Sequence, residues 1–320
     1  MIAELTWGMP VVWYLFLAGV GAGALTASAS VLLRGGGGGF AGSHVEIARY
    51  GAFLAPLPVM LGSFLLIFEL GTFEAGHWFR WINLYKVINL SPMSIGTWLL
   101  TFFIGVSVVY AYTFVPNAPF LGERQAPLRK ALAWVAIPLG IATAVYTGVL
   151  LGAMPARPFW NSPILALLFM LSSISTGVAL ILLVRAVLHR APRGETEQAH
   201  TESSYILTAT DLLLIGFELM VLFLFIMYAH LTIGNVKEAV SVILPGGDLA
   251  PLFWFGVVLI GLLIPALIEL YYLIPKLVYH RDFNAPRTVD IAVSGAVLLG
   301  GFLLRYVVVV AGQITGPVGL

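Results

Sequence analysis

Eight runs of apolar residues, at about 10–33, 50–72, 93–115, 132–154, 163–185, 205–233, 251–275 and 289–312, recur along this chain of 320 residues. A bilayer's hydrocarbon core of roughly 30 Å is crossed by about 20 helical residues, so each run is long enough to span it once. Within hydrocarbon every backbone N–H and C=O must find its partner inside the segment, which a helix provides and an open strand does not. The expectation is an all-α polytopic membrane protein, one integral domain over 1–320, its eight helices dividing into two four-helix bundles. Only 10% of the residues are charged while 60% are apolar, against about 25% charged in soluble domains, which excludes a water-soluble globule. MIAELTWGMP at the start has no basic stretch, so the first run reads as a retained span and not as a cleaved signal.

The connections between runs are short and hold most of the charge. With alternating spans, Arg80, Lys86, Arg157 and Lys237 fall on the side of the two termini. Arg34, Arg49, Arg124, Arg129, Lys130, Arg185, Arg190, Arg193, Lys276, Arg281 and Arg287 fall on the other. Basic residues collect in cytoplasmic loops, so this asymmetry predicts both termini outside, in the periplasm of a prokaryote. A net charge of +1 offers no basic field for nucleic acid. The absence of cysteine excludes disulfides, thiolate-held clusters and covalently attached haem. His44, His77, His189, His200, His230 and His280 include one residue, His230, inside a run, so a bis-histidine haem is not expected either. The glycines at 19, 21 and 23 of the first run read as a close-packing surface, because no strand precedes them as a dinucleotide fingerprint would require.

Ionisable groups at membrane depth are costly and mark function by default. Glu69, Asp211, Glu218, His230, Glu269, Asp290 and Arg305 are the candidates. Asp290 and Glu269 lie toward cytoplasmic ends, where an interfacial position is the bland reading. Asp211 and Glu218 stand two helical turns apart on one face. With Glu269 and Arg305 they mark a proton path from the inner end of the bundle toward the outer, against the alternative that Glu218 and Arg305 form a structural ion pair. No HExxH or ligand-spaced acidic and histidine cluster points to a metal.

Aromatic and polar residues gather at the predicted outer ends: Trp7, Trp13 and Tyr14 at the first run, Glu69 followed by His77, Trp78 and Arg80 after the second, and Tyr146 with Arg157, Trp160 and Asn161 at the fourth. Aromatics alone form an interfacial belt. Carboxylate, phenol, guanidinium and amide among them suit an amphipathic ring carrying two polar oxygens.

At these residues the chain resembles the NrfD family, the membrane subunits of polysulfide reductase and related molybdenum oxidoreductases. The stretches that carry the resemblance are Pro10-Val-Val-Trp-Tyr-Leu-Phe-Leu-Ala-Gly-Val-Gly-Ala-Gly23, Glu69-Leu-Gly71 with Arg80, and Leu90-Ser-Pro-Met-Ser-Ile-Gly-Thr-Trp98. Tyr146-Thr-Gly148, Arg157-Pro-Phe-Trp-Asn161, Ser172-Ser-Ile-Ser-Thr-Gly177 and Arg305-Tyr-Val-Val-Val-Val-Ala-Gly-Gln313 follow in order. The resemblance implies a haem-free, metal-free subunit of the inner membrane that binds menaquinone or ubiquinone. It also implies a four-cluster ferredoxin-like iron–sulfur partner on the periplasmic side, exchanging electrons with a molybdopterin catalytic subunit. Carried over to this sequence, Tyr146 is the expected quinone ligand, with Arg157 and Asn161 in support. Tyr14 stands where the polysulfide reductase membrane subunit has a histidine. A phenol can bond a quinone carbonyl but does not exchange protons at neutral pH as imidazole does, which moves the proton role to Glu69 or His77. The chain then supplies the quinone half-reaction of a complex and not a complete enzyme. A proton-coupled secondary transporter, lacking visible inverted halves, and a purely structural anchor are the competing readings.

Overall fold

The computed structural model describes residues 7–35, 44–69, 80–86, 91–116, 120–188, 197–280 and 282–316, the side chains of 68, 69, 80 and 197–200 excepted. Among them run α1 (Met9–Arg34), α2 (Val45–Leu54), α3 (Pro56–Glu69), α4 (Arg80–Lys86), α5 (Pro92–Tyr112) and α6 (Gln125–Gly152). Then come α7 (Pro163–Leu188), α8 (Glu197–Leu231), α9 (Asn235–Val240), α10 and α11 (Arg287–Ile314). The tenth, Leu252–Tyr279, opens with π-helical turns over Leu252–Leu263 and continues as α-helix. Eight helical stretches are long and apolar enough to cross a membrane, with α2 and α3 serving together as the second. Pro56 has no N–H to continue the ladder of α2, so the second crossing breaks there.

Two of the crossings that begin earlier than the apolar runs do so by five residues or more. The second starts at Val45 and the fourth at Gly122. Hydropathy drops the charged first turns, but the helix does not need them apolar. Glu46 and Arg49 pair at 3.7 Å on one face of α2. In α6 Arg129 is buried, its guanidinium 4.5 Å from the centre of the Phe114 ring, where the apolar stem packs and the head finds carbonyls such as that of Thr113.

The first four crossings pack as one group, α1 against α3 and α6 and α5 against α6, and the last four as another, α7 against α8 and α11 and α10 against α8 and α11. Helix α7 joins them, packed against both α1 and α6, and α1 also meets α11. Lipid tails are as apolar as leucine, so association inside a membrane depends on close contact. A Cβ on Gly177 would lie 2.3 Å from the Gly23 carbonyl carbon, and one on Gly23 would lie 1.9 Å from the Ser173 oxygen. The two backbones therefore touch. This crossing is why α1 is almost wholly buried while α3, α5, α8 and α10 turn leucine and phenylalanine outward. Trp7 and Ile314 mark the terminal end of the helices, Arg34 and Arg287 the far end.

Candidate functional site

At the terminal end a cavity of about 170 Å³ opens among α1, α3, α4, α5 and α6. Tyr14 and Tyr146 supply its polar wall, and Leu66, Met93, Leu100 and Leu150 part of its apolar one. Leu84 closes a further side, because α4 is fastened to α5 by the Ser94 hydroxyl donating to the Leu84 carbonyl at 3.3 Å and by a 2.8 Å bond between the Tyr85 and Thr101 hydroxyls. Tyr14 is fully buried and its hydroxyl has no hydrogen-bond partner among the described residues. The Tyr146 side chain is its polar neighbour, yet the two hydroxyls do not meet hydrogen-bond geometry. A buried unmet hydroxyl costs about 1–3 kcal/mol, a cost that a ligand oxygen would remove.

Gly96 sets where Tyr146 sits. A Cβ on Gly96 would lie 1.8 Å from the Tyr146 hydroxyl oxygen and 1.9 Å from the ring carbon bearing it. The Leu90-to-Trp98 motif thus contributes a missing side chain as well as the cavity-lining Met93 and Thr97. The sequence assigns that motif no role, because a glycine facing a bulky residue of another helix leaves no signal in one sequence.

Arg157 and Asn161 are not among the described residues lining the cavity. The Arg157 guanidinium donates to the Gln313 carbonyl at 2.9 Å and lies 6.0 Å from the Trp160 ring centre. Gln313 in turn exchanges two bonds with Trp7, accepting from its N–H at 2.9 Å and donating to its carbonyl at 3.1 Å. Trp7 stacks on Trp160 at 5.3 Å, and the Trp160 indole donates to the Val308 carbonyl at 2.7 Å. Trp7 lines the cavity, so Arg157 reaches it indirectly, through Gln313 or Trp160 and then Trp7. The Asn161 side chain is exposed, and its backbone N–H closes a turn onto the Arg157 carbonyl at 3.1 Å. The side chain of Glu69, and His77 altogether, lie outside the described residues.

The buried charges form a second constellation. Arg305 is held by neutral groups, donating from Nη1 to the Ser172 hydroxyl at 2.6 Å and the Gly301 carbonyl at 2.8 Å, and from Nη2 to the Ser173 hydroxyl at 3.0 Å. Its guanidinium carbon lies 5.2 Å from the Phe169 ring centre. Glu218 is near enough to feel that charge and neighbours Ser172 as well, but no direct Glu218–Arg305 ion pair is present among the described residues. Asp211 accepts from the Ser175 hydroxyl at 2.7 Å and faces Glu269, which faces Asp290 beyond it. Arg185 of α7 stands beside Asp290. From Asp290 to Arg305 is 15 residues of α11, about 22 Å by helical rise, most of the way across the hydrocarbon. Ser172 and Ser175 knit this line together on α7. In the sequence they belong to a motif with no role attached, since hydroxyls in a transmembrane helix look like ordinary backbone-bonding residues. Among the described residues no three His, Cys, Asp or Glu side chains gather to hold a metal ion.

A family model described as polysulphide reductase, NrfD, matches residues 1–317. The chain is 30% identical to Protein NrfD of Escherichia coli over 98% of its own length and 96% of that protein's. It is 29% identical to a polysulfide reductase polypeptide of Wolinella succinogenes, over 96% and 94% respectively. A more distant relative, at 23% identity over 82% of this chain and 66% of its own, is a selenate reductase subunit from Mesobacillus selenatarsenatis. A match that runs from the first helix through the last, on a chain with eight helices long and apolar enough to cross a membrane, makes this protein a member of the NrfD family of multi-pass membrane subunits.

Proposed function

We propose that the cavity between Tyr14 and Tyr146 takes the ring of a menaquinone or ubiquinone, and that this chain passes electrons between the quinone pool and an iron–sulfur subunit serving a molybdopterin enzyme. The unmet Tyr14 hydroxyl, buried in a cavity, carries the reading. An anchor without a ligand has no use for it. A dry apolar cavity of about 150 Å³ admits a benzene ring, so the 170 Å³ here has room for the oxygen-bearing ring of the quinone, the fused second ring of a menaquinone lying toward the cavity mouth. A bound quinone supplies two-electron, two-proton redox chemistry. Tyr14 and Tyr146 hold the ring oxygens, the leucine and methionine wall keeps out bulk water, and Trp7 fixes the terminal-end rim.

Because the cavity lies at the terminal end and the chain has no cysteine for a cluster, the iron–sulfur partner docks there. Electrons would otherwise cross roughly 30 Å of hydrocarbon unaided. By the distribution of basic residues that end is periplasmic in the inner membrane. Glu269, Asp211, Glu218 and Arg305 form a proton path toward the site. Glu69, one helical turn beyond the cavity-lining Leu66 in α3, or His77 exchanges protons near the ring.

Replacing Tyr146 with Phe in the assembled complex tests the reading. Loss of one hydrogen bond worth about 0.5–1.5 kcal/mol lowers quinol-dependent turnover while the complex still assembles. Unchanged quinol kinetics would remove Tyr146 from the site.

A further inference from the structure

At the far end, a groove of about 460 Å³ runs along the outer surface between α10 and α11, with the largely exposed Leu267 and Tyr271 on its lips. Directly behind it is a second, much smaller space of about 10 Å³. The two share Ile268, Tyr272, Val289 and Val293 as their common wall. The outer groove is apolar, whereas the inner space is lined by Glu269, Asp290, Ser294 and Thr208. Glu269 Oε2 and Ser294 Oγ both lack a hydrogen-bond partner among the described residues, although the two residues are 3% and 1% exposed. Two buried oxygens without a partner, on two residues that line one space the size of a water molecule, make this a polar site. A cavity of about 10–15 Å³ of probe volume is what one water needs, provided polar partners surround it.

We propose that this space is a water- and proton-binding site, in which Glu269, Ser294 and Asp290 hold one water and Glu269 accepts and passes on its proton. The groups facing Glu269 come from each helix around it: Asp211 on α8, Asp290 on α11 with Arg185 of α7 beside it, and Tyr272 on α10 itself. Three carboxyls and one guanidinium leave an excess of negative charge in a region where bare charge is expensive. Protons remove that excess. Glu269 and Asp211 are close enough to share a proton. The site thus loads the path assigned under Proposed function and rests on that part of the reading, but it stands apart from the ring cavity.

The wall is one layer of side chains thick, and that suggests the probe. Dicyclohexylcarbodiimide dissolves in the hydrocarbon and reaches the groove from the lipid side. A protonated carboxyl gives its proton to a carbodiimide nitrogen and its oxygen bonds to the central carbon. The acyl group then shifts to nitrogen as a stable acylurea, with no atom lost. In membranes holding the intact complex, the expected result is an adduct on Glu269, located by peptide mass spectrometry, with none on the paired surface Glu46. The adduct declines as pH rises and is indifferent to sodium. Filling the space by Ser294→Leu lowers the yield in complexes that still assemble. No adduct on Glu269, or one confined to Asp290, overturns the proposal. So does an adduct suppressed by sodium at constant pH, which would make the space a cation site. None of these readouts uses quinone, so failure here is distinguishable from failure of the ring cavity, and the wild-type adduct decides even where a variant does not fold.

Discussion

The Tyr146 hydroxyl occupies the space where Gly96 lacks a side chain, 1.8 Å from the position a Cβ would take. Two helices thereby fix the phenol from opposite sides, α6 by its backbone and α5 by an omission. Gly96→Ala must push the ring away, and overpacking of this kind costs about 1–3 kcal/mol. The expected outcome is a folded complex, with a lower melting temperature and a weaker response to quinol than Tyr146→Phe shows. Wild-type quinol kinetics in Gly96→Ala would mean that the position of Tyr146 does not matter to turnover.

Arg157 supports the Trp7 rim from a distance. Removing its bond to the Gln313 carbonyl by Arg157→Ala costs about 1.5–3 kcal/mol, a loss read directly in thermal unfolding of the detergent-purified complex. Because the guanidinium does not line the cavity among the described residues, turnover at saturating quinol should hold while the apparent KM rises modestly. A collapse of kcat with unchanged stability would place Arg157 at the ring.

Arg305 donates to two serines and a backbone carbonyl and lies against a phenylalanine face, its Nε left without a partner among the described residues, so Glu218 acts on it by charge and not through a direct bond. Glu218→Gln therefore assembles, with melting within about 1 kcal/mol of wild type, because the amide still bonds the same neighbours. Proton-coupled turnover in liposomes slows. Failure of this variant to assemble would reinstate a structural ion pair, and undiminished proton uptake would take Glu218 out of the path.

The eight crossings were legible because membrane depth imposes one rule on every segment, and errors were confined to helix ends such as Val45 and Gly122, where charged first turns hide the helix from hydropathy. The buried acids were legible for the same reason, since Asp211, Glu218 and Glu269 stand out against apolar surroundings. What one sequence could not show was which partner each would face. Arg305 finds Ser172 and Ser173 on another crossing more than a hundred residues away. Asp290, half-buried in the first turn of α11 where an interfacial place was expected, also lines an internal space with Ser294. Arg157, grouped with Tyr146 by the resemblance, turns to the end of α11.

The α1–α7 contact gives a stability prediction independent of any ligand. Gly177→Val places its side chain against the Gly23 backbone, and neither helix can retreat without opening the joint between the two groups. A loss of more than about 3 kcal/mol is expected, read as absence of the chain from purified membranes, whereas Gly216→Val, with open space around it, accumulates normally.

The central claim is that the Tyr14–Tyr146 cavity holds the quinone ring, and photoaffinity labelling of the intact complex with an azidoquinone tests it most directly. The account predicts adducts on the peptides carrying Tyr14, Met93 to Leu100 and Tyr146 to Leu150, displaced by excess unlabelled quinone and diminished in Tyr14→Phe. Displaceable adducts confined to other helices, with these three peptides unmodified, would contradict it.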